Sequence, residues 1–274
     1  TVLGGDDIAG VVCILEALRI LEEKGVDHGS IQVAFTVAEE IGLMGAKNLD
    51  YSRIDAKYGF VLDGGGPIGE VSVRAPSHNS IRVVVKGKAA HAGMEPEKGI
   101  DAVRIASEAI SGMRLGRIDY ETTANMGIIK GGAATNIICD RVELEGETRS
   151  RDEGKLERQT AHMRECFVKA AQKYGGEVEF DASREYPAYN IDKGDEIISV
   201  LERAAHETGI ELKLVSTGGG SDTNIVNGRG IKAVDLSVGM DKVHSVEEQI
   251  SIDDMVKAAE FVVAIAGNVL GRLC

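Results

Sequence analysis

The chain has 274 residues, 43% of them apolar, which is enough for one large core or two medium ones. Its 31 basic and 44 acidic side chains give a net charge of −13 without a dense Lys/Arg block, which argues against nucleic acid as a partner. No apolar run approaches the roughly 20 residues of a membrane-spanning helix, and with 4% aromatics and no Trp there is no evident stacking platform.

Residues 6–24 place Ile8, Val11, Val12, Leu15, Leu18, Ile20 and Leu21 at helical spacing, with Gly25 as the stop. A strand is predicted over 31–38, a helix around 43–50, and a buried parallel strand at 58–63. After Gly64-Gly65-Gly66-Pro67 the pattern changes. It predicts strands at 77–88, 122–130, 137–149 and 176–184, with helices at 98–114 and 152–173, in the order βαββαβ of a ferredoxin-like sandwich. From 193 the α/β alternation resumes: a helix at 194–208, strands at 211–216 and 232–237, and a closing helix over 253–270. The expected fold is therefore α/β, a mostly parallel sheet with helices on both faces. A βαββαβ domain at 77–187 is inserted between the two catalytic parts, 1–76 and 188–274. Cys13, Cys139, Cys166 and Cys274 lie far apart with no metal-ligand spacing and are expected as buried free thiols of a cytoplasmic protein.

The stretch richest in chemistry is Glu39-Glu40 at the end of the predicted strand. Neighbouring side chains on an extended segment point apart, so one carboxylate can bind a metal while the other carries a proton for the metal's water. A solvated pair at the positive end of a helix is the plainer alternative. Asp6-Asp7 after Gly4-Gly5 fits a helix N-cap as well as a ligand, and Asp63 closes a buried strand where open α/β sheets place ligands. His244 follows the strand that carries Val234 and Leu236, at the same sheet edge. Carboxylates and an imidazole gathered in one cleft repel unless cations neutralise them, and a divalent zinc, manganese or cobalt ion suits that donor set.

Taken together, Gly4-Gly-Asp-Asp-Ile-Ala-Gly10, Thr36-Val-Ala-Glu39-Glu40, Asp63, Lys88-Ala-Ala-His91-Ala-Gly93 and His244-Ser245 resemble a co-catalytic metallopeptidase superfamily. Its members include peptidase T, aminoacylase, carboxypeptidase G and succinyl-diaminopimelate desuccinylase, and the wording around 88–99 and 219–224 is most similar to the peptidase T-like aminopeptidases. The related glutamyl-type aminopeptidases place their inserted domain ahead of the Asp-Asp pair, unlike this chain.

The resemblance implies that Asp6 bridges two metals, that Glu40 and His244 complete one site, and that Asp63 belongs to the other. It makes Glu39 the general base and His91, in an inserted lid domain, the group that stabilises the oxyanion. Asn136, Arg149 and Gly219 resemble substrate-binding positions, Arg149 for a terminal carboxylate. A turn residue, a strand-end surface charge and a flexible glycine turn are the respective plainer readings of these three.

The resemblance further implies a His-x-Asp element ahead of the bridging aspartate. No histidine here begins one, so the second site is expected to keep only Asp6 and Asp63 and to bind weakly, and the chain is expected to begin inside a longer protein. The implied function is a zinc-dependent exopeptidase acting on short peptides, tripeptides first, with dimerisation through the inserted domain as one assembly. The alternatives are an amidohydrolase of N-acyl amino acids, a carboxypeptidase of the same superfamily, or a catalytically incomplete remnant.

Overall fold

The computed structural model describes residues 3–269, so Cys274 lies outside the described residues. In chain order the elements are α1 (Gly5–Lys24), α2 (Met44–Asn48), β1 (Tyr58–Gly65), β2 (Glu70–Ala75), β3 (Ser77–Lys86), α3 (Ala102–Ser111), β4 (Gly116–Arg117), β5 (Thr122–Gly131) and β6 (Arg141–Ser150). They continue as α4 (Glu153–Tyr174), β7 (Glu177–Tyr186), β8 (Tyr189–Asn190), α5 (Glu196–Thr208), β9 (Lys213–Ser216), α6 (Asp222–Gly228), β10 (Lys232–Asp241), β11 (Gln249–Ile250) and α7 (Ile252–Val269). The chain divides into two compact units, one running to Ala75 and resuming at Tyr189, the other Pro76–Ala188.

In the first unit the sheet order is β1-β10-β2-β8, with β9 on β2 and β11 on β10. The α/β architecture is as expected, with the refinement that the sheet is mixed. β1 runs parallel to β10 and β9 parallel to β2, whereas β2 is antiparallel to β10. β2 is a strand the sequence reading passes over. It hides among glycines, yet Val71, Val73 and Ala75 alternate inward as a half-buried strand requires. β10 is buried at every position from Ala233 to Val238, the pattern of a strand covered on both faces. Its Val234, Leu236 and Val238 join Leu62, Ile197, Leu201, Phe261 and Ile265 in one core.

α1 buries a different face from the one its large apolar residues suggest. Ala9, Cys13, Ala17 and Leu21 face inward at i+4 spacing, while Ile8, Val12 and Leu15 are exposed. Small residues let the helix lie close against β1: a Cβ added to Gly10 would overlap the Leu62 carbonyl oxygen and stand 2.6 Å from both Asp7 carboxylate oxygens. Gly10→Ala is therefore expected to lower stability by about 1–3 kcal/mol through overpacking. Thermal unfolding reads this, and an unshifted melting temperature would show that the helix has room to retreat.

The strand predicted over 31–38 does not form. The segment makes no ladder with any described strand, and a ladder needs a neighbour about 4.8 Å away. It is held instead by Gln32, whose Nε2 donates to Arg53 O at 3.0 Å and whose Oε1 accepts from Asp55 N at 3.1 Å. Ile31, Val33, Phe35 and Val37 are exposed along it.

The second unit has the expected βαββαβ order. Its antiparallel sheet runs β4-β5-β6-β3-β7, the strand order of a ferredoxin-like sandwich. Ile81, Val83, Val85, Val142 and Leu144 face Ile105, Ala106 and Ala109 of α3 and Met163, Phe167 and Ala170 of α4. Cys139 and Cys166 are partly covered and not buried as expected, because Cys139 lies in the loop before β6 and Cys166 at the rim of α4. Cys13 alone of the three is buried.

Candidate metal centre

The site grows from three turns of the first unit. In the first, Gly4 adopts a left-handed φ of 78°, and Asp6 and Asp7 keep non-helical backbone before α1 becomes regular. Asp7 Oδ1 accepts from Gly10 N at 3.0 Å, so Asp7 is the N-cap and Asp6 is spared that task. The cap reading of the pair thus falls on Asp7.

In the second turn Thr36 Oγ1 donates to the Asp222 carboxylate, and Gly45 N and Met44 N bond back to Val37 O and Ala38 O at 2.9 and 3.1 Å. Ala38 and Leu43 both have φ 58°, a region that non-glycine residues occupy at some cost. This tight turn presents Glu39 partly buried and Glu40 exposed.

The third turn follows β10. His244, at φ 62°, places Nε2 3.0 Å from Asp6 Oδ2 and 2.8 Å from Glu40 Oε1. Among the described residues, Asp6, Glu40 and His244 each bring a donor atom within 4.8 Å of the others.

Asp63 stands outside that trio, half-buried at the end of β1. Burial, followed by the charges of Asp235, Asp7, Glu39 and Asp6, pushes its carboxyl up to about 9. Burial, then Asp222, Glu40 and Asp6, brings Glu39 to about 7. Burial likewise raises Asp7 to about 7, opposed by its bond from Gly10 N. Glu40 and Asp6 together hold the His244 imidazole above its usual range. Several carboxylates therefore share a region whose negative charge is uncompensated, and two oxygens and one imidazole nitrogen form a donor set suited to a borderline divalent cation. The residues fit such an ion.

Sequence reasoning missed several residues here. Asp235, buried on β10, accepts from Asp63 N at 3.3 Å and from Ser221 Oγ at 3.3 Å. Its signal is a charge in the middle of the buried run 233–238. Glu248 is buried and accepts from Gly4 N at 3.0 Å and Asp6 N at 2.8 Å, while Glu247 stays exposed on Lys242. No pattern in the chain separates those two glutamates. Gly219 lies in the exposed loop before α6, its N–H bonded to Thr217 Oγ1 at 3.1 Å, and Ser221 caps that helix, which accounts for the serine.

The remaining site candidates belong to the second unit. His91 and Ile137 form a bridge, and Ala92 N donates to Asn136 O at 2.9 Å, so His91 and Asn136 sit on neighbouring strands of one loop pair. His91 Nδ1 accepts from Gly93 N and Met94 N, both at 3.2 Å, which places the ring proton on Nε2, facing outward as a donor. Arg149, on β6, is gripped by Glu147: Nε to Oε1 at 3.0 Å and Nη2 to Oε2 at 2.9 Å. One edge of the guanidinium is so occupied and the Nη1 side remains.

Comparison with known proteins places this arrangement. Residues 4–268 match Peptidase family M20/M25/M40, and the chain belongs to that family of peptide-bond hydrolases. It is 46% identical to an aminopeptidase PepT from Bacillus cereus, with TM-score 0.92, over 98% of this chain and 72% of that one. A tripeptidase from Staphylococcus aureus is 38% identical with TM-score 0.95, again over 98% and 72%. Peptidase T of Geobacillus kaustophilus is 30% identical over 97% of this chain and 65% of its own length. The chain thus spans about two thirds of that relative. No described helix is long and apolar enough to cross a membrane.

Proposed function

We propose that the chain carries the catalytic centre of a metal-dependent exopeptidase for short peptides, tripeptides first, working in the cytoplasm with zinc as the ion. The observation that supports this best is the meeting of Asp6, Glu40 and His244 beside the partly buried Glu39, in a chain similar to an aminopeptidase and a tripeptidase. Asp6, Glu40 and His244 would hold the ion, and Asp63 with Asp6 would offer a weaker second position. A divalent ion held there supplies Lewis acidity to the attacking water and the scissile carbonyl.

The protein groups divide the proton work. Glu39, partly buried next to Glu40 and near Asp222 and Asp6, is the carboxylate that accepts a proton from water as the water oxygen adds to the amide carbon. As the C–N bond breaks, Glu39 returns that proton to the leaving amine. On the second unit, the His91 Nε2–H is a donor suited to an oxyanion and the remaining N–H groups of Arg149 to a terminal carboxylate, with Asn136 on the loop pair of His91; Gly219 is the substrate-binding candidate of the first unit.

A panel of tripeptides tested against N-acyl amino acids, with and without chelator, checks the reading. Tripeptide hydrolysis that stops with chelator and returns with zinc is expected. Preference for N-acyl amino acids would move the assignment to an amidohydrolase, and chelator-insensitive turnover would remove the metal from it.

A further inference from the structure

We propose that Glu248 is a positioning residue of the metal centre: its buried carboxylate ties the Gly4–Asp6 backbone to the His244 turn and thereby sets the spacing of Asp6 and His244. This rests on the reading of Asp6 and His244 as ligands of one ion.

Glu248 is 8% exposed, and both its oxygens are used, Oε2 by Gly4 N at 3.0 Å and Oε1 by Asp6 N at 2.8 Å. These bonds join segments 242 and 244 residues apart in sequence. Four positions before it, His244 reaches the Asp6 side chain from the same turn. That turn is stiff. Ser245 Oγ donates to Lys242 O at 2.7 Å, Glu247 N donates to Ser245 Oγ at 3.1 Å, and Glu248 N donates to Ser245 O at 3.3 Å. Asp6 is therefore held twice by one loop, its backbone by Glu248 and its carboxylate by His244.

The clamp also explains the Gly4-Gly5 pair. Gly4 needs its left-handed φ, and a Cβ on Gly5 would stand 3.1 Å from Glu248 Oε1, tight against the clamp. Glutamine cannot replace the carboxylate, because one of the two amide N–H groups would then face another donor.

Zinc titration calorimetry on the whole chain tests this, with Glu248→Gln compared against Glu247→Gln. The second variant makes the same charge change one residue away, on a side chain that holds no backbone amide. Glu248→Gln is expected to weaken zinc binding about 10- to 100-fold, as loss of a group that orients a ligand does, with Glu247→Gln within about two-fold of wild type. Equal effects of the two variants, or wild-type affinity in Glu248→Gln, would overturn the proposal. If Glu248→Gln fails to fold, Gly5→Ala presses the same contact, and wild-type affinity in that variant would overturn it equally. Wild-type protein that takes up no zinc would instead refute the metal centre itself, and the clamp with it.

Discussion

Replacing Glu39 by Gln is expected to lower kcat for a tripeptide by about 10²- to 10⁴-fold, the usual contribution of a positioned general base, while metal uptake stays at the wild-type level. The side chain keeps its size and its place in the turn, so what is lost is the ability to take a proton. The division of labour follows from exposure: Glu40 reaches out to His244 at 2.8 Å, while Glu39 is partly buried, and burial and then the neighbouring carboxylates raise it to about 7. If Glu39→Gln lost the metal instead, the roles of the two glutamates would have to be exchanged. Comparable turnover in variant and wild type would remove Glu39 from the chemistry.

The second large effect concerns the metal-free protein and pH. Asp63, Glu39 and Asp7 have folded values of about 9, 7 and 7 against ordinary values of 3.8, 4.5 and 3.8. Between these limits the folded chain holds protons that the unfolded chain has released. Stability from these groups is therefore full at low pH and falls as pH rises from about 4 to 9, by up to about 1.4 kcal/mol per pH unit for each group in its window. Glu147 acts with the opposite sign: the His78 imidazole 3.2 Å away and the bonds from Arg149 hold it at about 2, so its contribution fades only in acid. In chelator, the melting temperature is expected to fall by more than about ten degrees from pH 5.5 to 8.5, at about 2–4 °C per kcal/mol for a chain of this size. Saturating metal should flatten that slope, because the ion stabilises the ionised carboxylates and adds about 2.7 kcal/mol at a hundred times its Kd. A melting temperature that rises with pH in chelator would contradict the placement of these carboxylates.

Much of this was legible in the chain because its signals are local. The Asp6-Asp7 and Glu39-Glu40 pairs, His244 after an apolar strand, and the βαββαβ pattern each declare themselves within a few residues. Properties that depend on a distant partner did not. Residues 31–38 alternate like a strand, yet strand formation requires a neighbour to share the ladder, and no described strand lies there. α1 is rich in large apolar residues, but its contact with β1 selects the face of smallest residues because backbone approach sets the limit. Glu248 and Asp235 are ordinary letters in sequence and become significant only through bonds to Gly4, Asp6 and Asp63.

The central claim is that Asp6, Glu40 and His244 hold one divalent ion beside Glu39. Equilibrium dialysis against zinc, with elemental analysis of wild-type protein and the folded His244→Ala variant, tests it most directly. Wild type is expected to retain one tightly held equivalent per chain, and His244→Ala to retain well under a tenth of that at the same free zinc concentration. Equal zinc in the two proteins, or none in wild type, would contradict the account.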